Sequence, residues 1–162
     1  MKKMTRMIAA VLCLAALCSL AACGGKAVRD DVPVLEIVAA IQQAIKKPEG
    51  LTAVDENYVA GRLQLDINKY TEYTVCINSF GTDVDEFGIF KAKDEDTAKA
   101  LASEVQSYLD NRLATWMDEY MPEEKPKVEN AEVKVAGVYV LYGILSDSAR
   151  KAAFAALDEA IK

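Results

Sequence analysis

Residues 84–101 read VDEFGIFKAKDEDTAKAL, and within this stretch the hydrophobic pattern changes its period. Phe87, Ile89 and Phe90 form a short apolar run between Glu86 and Lys91, the pattern of a β-strand. From Ala98 and Leu101 a three-four spacing takes over and continues through Ala102, Val105, Tyr108, Leu109, Leu113, Trp116, Met117 and Tyr120. That spacing predicts an amphipathic helix of about six turns. Asp94 stands between the two patterns, where its carboxylate can accept a hydrogen bond from an unpaired amide of the first helical turn. Strand, cap and helix in this order set the α+β class.

The same unit can be read on both sides. Upstream, residues 71–79 alternate, with Tyr73, Val75 and Ile77 on one face and Glu72, Thr74, Cys76 and Asn78 on a wetter one. A turn at Gly81–Asp83 joins this strand to the next as a hairpin. Downstream, Pro122 stops the helix and PEEKPK (122–127) reads as a solvated loop. Residues 131–135 alternate again, Ala136 and Gly137 turn, and VYVLYGIL (138–145) is apolar on both faces, as a central strand would be. Ser146 or Asp147 then caps a last helix that turns Ala149, Ala153, Phe154, Leu157 and Ile161 inward.

Before these two β-β-α units, Val34, Ile37, Val38, Ile41 and Ile45 recur at helical spacing, which predicts a first helix over 32–46, with Pro33 in its first turn and Pro48 and Gly50 ending it. Residues 51–69 carry only weak signals, amounting to one helical turn near Asp55–Arg62. The expected fold is α+β: an N-terminal helix followed by two β-β-α units, forming a four-stranded antiparallel sheet. Both later helices are expected on one face, with the first helix either beside them or across the other face. At 162 residues, 52% hydrophobic and 27% charged, the chain suits one domain, placed at 32–162.

The N-terminus follows a different plan. Lys2, Lys3 and Arg6 precede an uncharged apolar run from Ile8 to Ala22, too short at 15 residues for a spanning helix of about 20. Leu20, Ala21, Ala22 and Cys23 match a lipobox, so 1–22 reads as a lipoprotein signal peptide and 23–31 as a lipidated cysteine and short tether. A diacylglyceryl group on Cys23, with fatty acyl chains such as palmitate, would hold the chain on the extracytoplasmic face of the cell membrane. Two chains anchor stably where one holds only marginally. Residues 24–30, as a flexible leash, would reach about 15 Å. From Cys23 onward 16 basic side chains face 25 acidic ones, a net charge of −9, which disfavours nucleic acid as a partner.

With the lipobox, the first-helix pattern, the opening stretch, "PEE" and "GVYVLYGILSD", the chain resembles a family of small bacterial lipoproteins catalogued as domain of unknown function 4358. The resemblance covers nearly the whole chain. It implies a lipoprotein of mainly Gram-positive, clostridia-like bacteria with an α+β domain, and no activity.

Few residues point to chemistry. The sequence has no histidine, which removes the commonest general base and metal ligand. Serine-lysine and paired-carboxylate chemistry stay formally open, but no nucleophile elbow, phosphate loop or dinucleotide fingerprint is present. Asp83, Asp85 and Glu86, followed by Asp94, Glu95 and Asp96, are weak candidates for ligating a hard cation such as calcium. The alternative is a hairpin end plus a helix N-terminus whose dipole favours acids. Cys76 reads as either a reactive thiol or a small packing residue. Trp116 and Tyr120, with Met117, read either as a possible interaction surface or as the core side of the long helix. The expectation is a non-enzymatic, membrane-anchored binding or interaction module of the cell envelope, needing no cofactor beyond its lipid and serving a neighbouring envelope or membrane protein. The alternatives are a small-ligand or divalent-cation-binding lipoprotein and, third, an enzyme of envelope polymers working through carboxylates.

Overall fold

A computed structural model of the chain describes residues 28–47 and 50–162. Cys23, the signal segment and Pro48 lie outside the described residues. The elements are α1 (Val34–Ile45), β1 (Thr52–Ala53), α2 (Glu56–Tyr58), β2 (Tyr70–Ile77), β3 (Glu86–Ala92), α3 (Glu95–Ala114), α4 (Lys125–Glu129), β4 (Glu132–Ala136), β5 (Tyr139–Ile144) and α5 (Asp147–Ala160). One antiparallel sheet runs in the order β1-β2-β3-β5-β4. The sheet therefore has five strands where four were expected. The extra one, Thr52–Ala53, pairs through only two residues, Thr52 with Ile77 and Ala53 with Cys76, too few for an alternation to register.

The two β-β-α units do not place their helices together. Helix α3 covers one face, where Ala98, Leu101, Val105, Tyr108 and Leu109 meet Val75, Phe90, Val140, Tyr142 and Ile144. Helices α1 and α5 lie side by side on the other, where Ile37, Ile41, Ala153 and Leu157 meet Cys76, Phe87, Ile89, Tyr139 and Leu141. The fold is a sandwich of helix, sheet and helices. The reason lies in β3 and β5, whose residues are buried on both faces with the partial exception of Lys91. A strand apolar on both sides needs cover on both. For the same reason the face of β2 expected to be wetter is roofed by α1, and Cys76 on it is 1% exposed.

Local signals explain the ends of the elements. The Asp94 carboxylate accepts from the Thr97 amide at 2.7 Å and starts α3, and the Ser146 hydroxyl accepts from Ala149 at the start of α5. Glu72 does the same across the sheet for α1, accepting from the Val34 amide at 2.8 Å, and that bond holds its carboxyl below the usual range. Helix α3 ends at Ala114, short of the expected Tyr120. Thr115 leaves helical geometry at φ −98° and ψ 9°, and Trp116 donates back to Leu113 to close the last turn.

The strands give the domain two ends. At one, Val28 lies against Gly137 in the β4–β5 turn and the Arg29 amide donates to Ile161 O at 2.9 Å. At the other are the β2–β3 turn and the last turn of α3. The seven residues of β3 separate the two ends by about 20 Å.

Candidate functional site

The β2–β3 turn carries three of the acids singled out above, and alternation sends them in different directions. Glu86, the first residue of β3, shares the α3 face with Phe90 and is 2% exposed. Its Oε1 accepts hydrogen bonds from Tyr108 at 2.7 Å and Tyr142 at 2.6 Å. Its Oε2 has the Arg112 guanidinium 4.0 Å away. Burial, then the nearby carboxylate, drives both tyrosine hydroxyls far above their ordinary pKa, so both stay protonated as donors. A carboxylate removed from water in this way is tolerated only because donors and a cation surround it.

Asp83 and Asp85 leave the turn on the opposite side, where Glu124 joins them. Their carboxylate oxygens lie within 4.8 Å of one another, the spacing of a cation site. Two ammonium groups already bridge them. Lys47 donates to Asp83 and Asp85 at 2.6 Å each, and Lys127 to Asp85 and Glu124 at 2.7 Å each. The lysines stand where a divalent ion would stand and tie the end of α1, the β2–β3 turn and α4 together. A metal would have to displace them, so we expect millimolar calcium to leave the melting temperature unchanged; a clear rise would show that it does displace them.

The charge network predicts a pH response. Burial pushes the Asp83 carboxyl up, but hydrogen bonds from Lys47 and Asn78 outweigh it and leave it lowered. Burial likewise pushes Lys47 and Lys127 down, and their carboxylate partners outweigh it and leave both raised. Asp83 therefore stabilises the fold above the ordinary carboxylate range, and this contribution is lost as pH falls through its lowered folded value. The lysine contribution is complete below the ordinary lysine value and is lost as pH rises through the raised one. Denaturant midpoints should be level between about pH 5 and 8 and fall on both sides, the buried Cys76 thiol adding to the alkaline fall, and Lys47→Met should lessen both flanks.

Between the two sets of acids lies a cavity of about 200 Å³. Arg62, Glu86, Arg112 and Tyr58 line it together with Tyr120 and Met121, and Asp83 and Asp85 form part of its wall. The structure thus gathers Asp83, Asp85, Glu86 and Tyr120 around one space. Arg62 is carried by a single π-helical turn, Val59–Leu63, that continues α2 and ends on Gln64 at φ 57°. Turns of this kind recur at functional sites. The other side of Arg62 faces a groove of about 440 Å³, walled by Lys69, Glu104 and Tyr108.

Trp116 does not line the cavity. It is half-buried against the α3-side core, whereas Met117 and Tyr120 are 66% and 57% exposed. Trp116→Ala should therefore cost about 2 kcal/mol in a denaturation experiment, while Tyr120→Ala should cost well under 1 kcal/mol. Cys76, beneath α1, has its thiol pushed up to about 11 by burial, which leaves it protonated and unreactive at neutral pH.

Residues 43–145 match the model of a family described as domain of unknown function DUF4358. The chain belongs to this family. The match to the DUF4358 domain takes in every residue lining the cavity and both lysine bridges, and ends at Leu145 just before α5. Comparison with curated proteins and with solved structures returned no match. Among the described residues no helix is long and apolar enough to cross a membrane.

Sequence reasoning grouped Glu86 with the aspartates and missed Tyr58, Arg62, Tyr108, Arg112 and Tyr142. One signal was present: Glu86, Gly88 and Phe90 share a strand face, which makes Glu86 an inward acid in need of donors. Tyr108 and Arg112, four residues apart on α3, are a matching donor pair.

Proposed function

We propose that this DUF4358 domain is a lipid-anchored, extracytoplasmic binding module of the cell envelope, without catalysis of its own, that displays its cavity at the end remote from the membrane. The arrangement of the two ends supports this reading. The chain enters the domain at Val28, five residues after the lipobox cysteine, beside the β4–β5 turn, and the cavity opens about 20 Å away at the opposite end of β3. Phe80, Met117 and Tyr120, all strongly exposed, belong to that far end and offer apolar surface to a neighbouring envelope protein. A small-ligand role is favoured over a cation role because the cavity is open while the aspartates are already engaged by lysines.

The anchor is tested by Cys23→Ser, which should abolish incorporation of labelled palmitate and leave uncleaved precursor; normal processing of that variant would sink the reading. Orientation is tested by single thiols. In intact cells Phe80→Cys should react with a bulky, membrane-impermeant maleimide, and Val135→Cys, beside the anchored end, should react more slowly. An unlabelled Phe80→Cys would argue against extracytoplasmic display. Cys76 is too buried to interfere.

A further inference from the structure

We propose that the cavity binds a free α-amino acid as its zwitterion, with the carboxylate on Arg62 and the ammonium on Glu86 Oε2. The inference rests on the binding-module reading and names its ligand.

Unused donors stand at this end of the molecule. Arg112 Nε and Trp116 Nε1 are buried without a hydrogen-bond partner among the described residues. Arg62, which faces the cavity, has no carboxylate within 4.0 Å among the described residues. Buried N–H groups without acceptors are costly and rare, and a guanidinium is shaped to take both oxygens of a carboxylate. Glu86 supplies the complementary feature. Its Oε1 is saturated by two tyrosine hydroxyls, whereas Oε2 accepts no hydrogen bond among the described residues and has only Arg112 Nη2 at 4.0 Å. Tyr108 and Tyr142 therefore hold a buried carboxylate in place while leaving one oxygen for a donor that the chain does not supply.

Charge placement selects a zwitterion over a simple ion. The lining carries two cations, Arg62 and Arg112, and three carboxylates, Asp83, Asp85 and Glu86, of which the two aspartates are already bridged by Lys47. A lone anion would meet Arg62 and leave Glu86 Oε2 without a donor, and a lone amine would do the reverse; a zwitterion meets both. Size points the same way. At about 200 Å³ the cavity is below the range of about 300–1,000 Å³ that holds drug-sized ligands, and suits a molecule of amino-acid dimensions. Ile77, Met121, Tyr58 and Tyr120 give an apolar wall for a side chain.

The experiment is calorimetric titration of the purified full-length chain, in detergent, with each of the common L-amino acids at up to millimolar concentration. The tightest is then repeated as its deaminated acid and its decarboxylated amine. We expect saturable binding of at least one amino acid, weakened about tenfold or more by removing either charged group and by Arg62→Ala or Glu86→Gln. Arg62 is exposed, so Arg62→Ala should melt as the parent does and remain interpretable if Glu86→Gln is unstable. Three results would overturn the proposal: no saturable heat with any amino acid, binding untouched by Arg62→Ala, or equal binding of the deaminated acid. None of them bears on palmitate labelling at Cys23, so the anchor and the ligand stand or fall separately.

Discussion

Glu86→Ala should destabilise the folded chain by about 3–5 kcal/mol, a fall in melting temperature on the order of 10 °C. The substitution leaves two buried tyrosine hydroxyls without their acceptor and the Arg112 guanidinium without its counter-charge. Truncating one member of a buried charged cluster costs more than the cluster's net contribution, because the partners cannot return to water. Glu86→Gln keeps an acceptor and should recover part of the loss. In a double-mutant cycle, Tyr142→Phe should cost about 1–3 kcal/mol alone and clearly less in the Glu86→Ala background. Additive losses would mean that the carboxylate is not the shared partner of the two rings.

Gly88→Ala should cost about 3 kcal/mol, a large effect for one methyl group. Gly88 faces Tyr142 across the β3–β5 ladder, and a Cβ placed there would lie 2.3 Å from Tyr142 Cε1. The ring cannot swing aside. It is fully buried, stacked 6.4 Å from Phe90 and edge-on to Tyr108 at 5.9 Å, and its hydroxyl is bound to Glu86. The strain should therefore pass to the Glu86 hydrogen bond. In a Tyr142→Ala background, where the obstructing ring is gone, the same substitution should cost under about 1 kcal/mol by denaturant titration. An equal cost in both backgrounds would locate the penalty in the strand backbone instead.

These two positions also show where the sequence was informative. The Asp94 cap, the alternation of β2 and the spacing of α1, α3 and α5 rest on neighbours within a few residues, and each element lies where that spacing put it, except that α3 stops at Ala114 and not at Tyr120. The placement of α3 and α5 on opposite faces depends on how far residues buried in β3 and β5 are roofed. VYVLYGIL already showed the need for two-sided cover, but the resemblance between the two β-β-α units suggested one side. The candidate site was legible only in part. Asp83, Asp85 and Glu86 adjoin in sequence, yet the pleat turns the aspartates toward Lys47 and Lys127 and Glu86 toward Tyr108 and Tyr142. Those partners are 22 to 56 residues away, and no local pattern pairs them.

The strands at the two margins of the sheet have a consequence for crowding. A sheet margin exposes unpaired amides and carbonyls to any other chain that can dock there. On one margin β1 is two residues long, too short to template a foreign strand. On the other, β4 carries Glu132 and Lys134, whose charges are drawn to Arg150 and Asp158 of α5 and line the way in. Two copies forced side by side would meet a stub or a row of ions, which disfavours edge-to-edge polymerisation at high local density.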